Sequence, residues 1–187
     1  MTEAIQKREH LSGSDRPSAV RLAVAAPAPR QVIVHISTLQ VSADPAAVLV
    51  TYGLGACIAV TVHDPKLHLG GMIHFMLPFA SSAADRARER PAMFADTGIP
   101  LLFERIAALG ARREDLVIKV AGGGALQSEQ AVLKLGQRNH TALRKILWKH
   151  RALITAEDVG GTKSRTVRLH VGTGRVTVTS LGVEQEL

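Results

Sequence analysis

The chain has 187 residues, 46% of them hydrophobic, which is enough to bury one sizeable core and sets the expectation of a single domain. Its one cysteine excludes an internal disulfide and suits a reducing, cytoplasmic setting. Nothing approaches the roughly 20 apolar residues of a membrane span, Arg21, Pro27 and Pro29 spoil the first 30 residues as a signal peptide, and the net charge of +7 points to an acidic partner.

Residues 1–30 mix Ser, Pro, Ala and charges without a sustained period and read as a disordered tail before one domain over 31–187. From Gln31, QVIVHIS is β-branched and predicts a strand. In residues 51–78, TYGLGACIAVTVHDPKLHLGGMIHFMLP, the segments CIAVTVH and HLGGMIHFM are strand-like. Asp64-Pro65-Lys66-Leu67 between them has turn chemistry, since proline presets φ and aspartate bonds its neighbouring backbone, so an antiparallel hairpin is expected. SSAADRARER reads as a polar loop. MFADTGIPLLFERIAALG spaces Ile99, Leu102, Phe103 and Ile106 as a helix, with Gly110 as its C-terminal cap and Pro100 near the first turn or at a kink. LVIKVA reads as a buried strand leading into Gly122-Gly123-Gly124. NHTALRKILWKH puts Ala142, Leu143, Ile146, Leu147 and His150 on one stripe, with Asn139 as the N-cap of a second helix. ALITAEDVGG, RTVRLHV and RVTVTS close the chain as three strands. Strands at both ends with helices between make the fold class α+β, with β-sheet layers and two main helices packed outside.

The hairpin turns this reading into chemistry. Pairing His63 with His68 sets Ile58 against Ile73, Val62 against Leu69, and Cys57 against His74. Opposed residues have Cβ atoms about 4.5–5.5 Å apart, within reach of a thiol–imidazole contact. A slip of one residue would send the two side chains to opposite faces. Gly53 and Gly55, just upstream, would let a substrate approach and offer amide N–H groups as oxyanion donors, while Thr51 offers a hydroxyl to orient the ring. Nucleophile, base and orienter are what acyl transfer needs, and an adjacent imidazolium would depress the thiol pKa. On the residues alone, inert core and nucleophile both stay open for Cys57.

The segment resembles the signature of the CheD family of chemoreceptor glutamine deamidases. The matching residues are Thr51, Gly53-Leu54-Gly55-Ala56-Cys57, Asp64-Pro65, Gly70-Gly71-Met72, His74 and Met76-Leu77-Pro78. Lys119 through Ala125, Leu135-Gly136-Gln137-Arg138-Asn139, Asp158-Val159-Gly160-Gly161 and Arg165 match downstream, so the resemblance covers about residues 32–180. Three positions depart from it: Ala56 replaces a serine, Ile73 an asparagine and Ser164 a glycine. The resemblance implies a protein-glutamine glutaminase in which Cys57 is the nucleophile, His74 the general base and acid, and Thr51 the orienter, with no metal or organic cofactor. It also implies two partners, the cytoplasmic helices of methyl-accepting chemoreceptors and the CheC phosphatase. The alternative function is a non-catalytic regulatory partner of that phosphatase, against which the intact Cys57, His74 and Thr51 argue.

Other signals read as structural. Gly122-Gly123-Gly124 and Gly160-Gly161-Thr162-Lys163-Ser164 lack phosphate-loop spacing, and the remaining histidines lack zinc-site spacing. Lys134, Arg138, Arg144, Lys145, Lys149 and Arg151 make the second helix basic, either as a solvated face or for an acidic protein. Six aromatic residues in all (four Phe, one Trp, one Tyr) and the lack of a base-reading motif argue against nucleic acid.

Overall fold

A computed structural model describes residues 29–81, 83–125 and 130–187, with side chains from residue 135 onward in the last stretch. All but the last two residues of the tail read at 1–30 lie outside these. Among the described residues ten strands form two mixed five-stranded sheets. The first has the spatial order β1 (Arg30–Ile33), β3 (Ala47–Leu54), β8 (Arg165–His170), β9 (Val176–Ser180), β10 (Val183–Glu186). The second has the order β2 (Thr38–Ser42), β5 (Leu69–Phe75), β4 (Ile58–Asp64), β6 (Val117–Gly122), β7 (Ile154–Val159). Pairs β1/β3 and β6/β7 are parallel.

Side-chain alternation explains the layering. In β4 and β5 every residue is buried, so both faces of the hairpin must be covered. Ile58, Val60, Val62, Ile73 and Phe75 pack with Ile99, Leu102 and Ile106 of α2 (Ala95–Ala107) and Leu143 and Leu147 of α3 (Gln130–Lys149). Ala59, Met72 and Ala121 turn the other way, onto Leu49, Val167, Leu169 and Val178 of the first sheet. The order is therefore sheet, sheet, helices, the expected α+β architecture, with the second sheet as the middle layer. Burying one such Leu, Ile or Val is worth about 1.5–3 kcal/mol, so these two cores carry the fold.

Several local expectations change. SSAADRARER contains a short helix, α1 (Ala84–Glu89), none of whose residues is buried. Its Ala, Arg and Glu are good helix formers and Asp85 pairs with Arg88 one turn on. Pro100 lies in the second turn of α2, where its missing N–H leaves the Asp96 carbonyl without the usual intrahelical donor. Arg30 already belongs to β1, its amide donating to Ala46 O and its guanidinium pairing with Asp44. A fourth C-terminal strand, β10, pairs with β9, and β7 joins β6 in the other sheet. The largest change concerns Asn139, which is no N-cap: α3 begins at Gln130 and Asn139 lies fully buried in its middle.

Candidate active site

The hairpin forms with a register two residues away from the expected one. Asp64 pairs with Leu69, Ala59 with His74 and Ile58 with Phe75, so the turn is Pro65–His68. Asp64 stays in the strand because its carboxylate caps the turn, accepting from the amides of Lys66 at 2.9 Å and Leu67 at 3.1 Å. His68 closes the turn with φ +51. Since side chains alternate with period two, this shift preserves the face on which each residue lies. Cys57, immediately before β4, is diagonal to His74 instead of opposite it. Such neighbours lie about 7–8 Å apart in a regular pair.

His74 points into the gap between the sheets, where it is 3% exposed. From the first sheet Thr51, 1% exposed, reaches across, and its Oγ1 lies 2.7 Å from His74 Nδ1. The bond thus spans the two sheets. Nε2 is buried and has no hydrogen-bond partner among the described residues, so no hydrogen bond joins it to Cys57. Leaving a buried nitrogen unpaired costs about 1–3 kcal/mol.

The electrostatics run against an imidazolium at rest. Burial pushes the His74 pKa down from 6.5 to about 4. Burial likewise pushes the Cys57 thiol up, opposed by its own backbone N–H. Near neutral pH both groups are uncharged. The expectation that a neighbouring imidazolium depresses the thiol is therefore corrected: desolvation sets both shifts.

The loop that carries Cys57 is held by its carbonyls. Gly55 O accepts from Gly124 N at 2.8 Å and Cys57 O from Gly123 N at 2.8 Å. Between them, Ala56 O accepts from Asn139 Nδ2 at 2.9 Å, and the same nitrogen donates to Met76 O at 3.0 Å. This use of its donors takes Asn139 into the helix interior, despite its weak helix propensity. The chain passes so close here that a Cβ on Gly136 would collide with Gly123 O. Gly53, at φ +69, lies where the β3/β8 pairing is irregular, between Thr51 and Leu54.

The family model for CheD, described as CheD chemotactic sensory transduction, matches residues 76–180. A protein of Anaeromyxobacter dehalogenans named "Probable chemoreceptor glutamine deamidase CheD 2" is 52% identical over 149 residues, 80% of this chain and 94% of its own. A similarly named protein of Solibacter usitatus is 48% identical over 84% of this chain and 93% of its own. One of Syntrophus aciditrophicus is 48% identical over 81% and 94%. The chain belongs to the CheD family. That match begins two residues past His74.

Against that CheD motif, the departures fall away from the imidazole. Ile73 faces the helices, buried in their core with its Cδ1 against Gly98, on the opposite side of β5 from His74. Ala56 contributes a carbonyl, which any residue supplies. Ser164 O accepts from Ser180 Oγ. Arg165, largely buried, makes two hydrogen bonds to the Asp158 carboxylate, and that guanidinium holds the Asp158 carboxyl below its usual range. The pair bridges β7 and β8, and so the two sheets. Among the described residues no group of three or more His, Cys, Asp or Glu is placed to hold a metal, and no helix is long and apolar enough to cross a membrane.

Proposed function

We propose that this chain is a protein-glutamine glutaminase that hydrolyses side-chain amides of glutamines on the cytoplasmic helices of methyl-accepting chemoreceptors, releasing ammonia and leaving glutamate. One observation carries the reading. The sole cysteine shares a face with a buried histidine whose Nδ1 is engaged by Thr51 and whose Nε2 has no partner among the described residues. The names of the relatives, each a chemoreceptor glutamine deamidase, support the substrate. The exposed basic residues of α3, Arg138, Lys145 and Lys149, suit an acidic protein partner.

For Nε2 to act as base, Nδ1 carries the ring proton and donates it to Thr51 Oγ1, which fixes the tautomer. As substrate closes over the site, Nε2 takes the Cys57 proton while Sγ bonds to the amide carbon, and the carbonyl π electrons move onto oxygen. The imidazolium so formed is a strong acid, because burial holds the His74 pKa near 4. It protonates the nitrogen as the C–N bond breaks, the oxygen electrons re-form the carbonyl, and ammonia leaves a thioester. Nε2 then takes a proton from water, hydroxide adds to the thioester, and the C–S bond breaks. The sulfur recovers its proton from His74 and glutamate departs.

Ammonia release from a purified receptor cytoplasmic fragment tests this reading. The wild-type chain should liberate ammonia in proportion to glutamines converted, and Cys57→Ser and His74→Ala should liberate none above background. Release by Cys57→Ser at the wild-type rate would remove the thiol from the mechanism.

A further inference from the structure

Asn139 is fully buried, yet its Oδ1 has no hydrogen-bond partner among the described residues. A buried amide with an unpaired acceptor is kept at a cost, so its value lies in its donors. Both bonds from Nδ2 go to backbone carbonyls flanking the site: Ala56 O, one residue before Cys57, and Met76 O, two residues after His74. A trans peptide is planar, with C=O and N–H pointing in opposite directions. Turning the Ala56 carbonyl toward α3 therefore turns the Cys57 N–H away from α3. That N–H belongs to the residue that carries the sulfur. Gly123 and Gly124 hold the carbonyls on either side, so the Ala56–Cys57 peptide cannot rotate freely.

We infer that Asn139 is a positioning residue that aims the Cys57 backbone N–H as the oxyanion donor of this site. The inference deepens the proposed thiol mechanism and rests on it for the role of the sulfur. The donor must face the oxygen of the tetrahedral intermediate, and a fixed peptide supplies that alignment before substrate arrives. Asn139 touches no reacting atom. Its hold on Met76 O also ties the end of the His74 strand to the same anchor.

Two reagents at Cys57 separate this role from mere support of the loop. Acylation by p-nitrophenyl acetate passes through an oxyanion; alkylation by iodoacetamide does not. In Asn139→Ala the acylation rate should fall roughly tenfold to a hundredfold, as expected for a misaimed donor, while alkylation stays within about twofold of wild type. In Asn139→Ser, which keeps one donor, the loss should be smaller, and this variant is read by the same ratio if Asn139→Ala does not fold. Acylation and alkylation falling together, or neither changing, would overturn the inference. The ratio needs no receptor, so a wild-type chain that fails to deamidate receptors would overturn the substrate reading and leave this test standing.

Discussion

At the scale of single residues, burial keeps both Cys57 and His74 uncharged at rest, and Thr51 engages the imidazole from one side. Because Thr51 engages Nδ1 and no described residue engages Nε2, the two substitutions should differ in degree. His74→Ala removes the base and should abolish turnover. Thr51→Ala leaves the base free to tilt and should cost roughly tenfold to a hundredfold in kcat, as a small misplacement does. Steady-state kinetics of the two variants decide it, and equal losses would mean that Thr51 does more than orient the ring. Burial keeps the resting thiol protonated. Alkylation of Cys57 by iodoacetamide should therefore rise with pH beyond the ordinary thiol range and change little in His74→Ala. A fast rate at neutral pH that depends on His74 would contradict a neutral resting pair.

At the scale of elements, legibility follows whether a signal is local. The helical stripe of Ile99, Leu102, Phe103 and Ile106 was readable because one face of α2 is buried, as was the β4/β5 hairpin with its turn chemistry. Its register was readable only to the correct face, since period two fixes parity and the Asp64 cap fixes the last two residues of slip. Motif spacing singled out Thr51, Cys57 and His74, but the contact of Thr51 with His74 across two sheets depends on packing that no local pattern reports. Asn139 was misread because an asparagine before a helical stripe resembles a cap, and the acceptors it serves are 83 and 63 residues away in sequence. The close approach of α3 to the β6 loop gives a direct test. Gly136→Ala would drive a Cβ into Gly123 O, forcing the helix outward at a cost of about 1–3 kcal/mol. A thermal scan should show Tm lower by roughly 3–10 °C, and activity should fall with it, since Asn139 lies one turn further along. An unchanged Tm would show that the helix already stands clear of the loop.

At the scale of the whole molecule, the gap between the sheets holds both the proposed site and a histidine whose burial bears on stability. The unfolded chain takes up a proton at His74 near pH 6.5, whereas the native chain resists it down to about pH 4. Stability is therefore full above pH 6.5, declines as pH falls through that window and levels below it, a loss of up to about 3 kcal/mol. His63, whose pKa burial also lowers, adds to the same decline, while Asp158, held low by Arg165, acts below it. Urea titrations at pH 7 and pH 4.5 should show wild type losing more stability than His74→Gln; an identical loss in both would remove His74 as the cause. The net charge of +7 predicts that KM for receptor rises with salt while kcat holds, because screening weakens encounter with an acidic partner and leaves the buried chemistry alone. Whether Cys57 hydrolyses receptor glutamines is decided by mass spectrometry of a receptor co-expressed with this chain. Exchange of an amide for a carboxylate adds about 1 Da; that gain should appear at particular glutamines with wild type and be lost with Cys57→Ser, and its absence with wild type or its persistence in the variant would contradict the account.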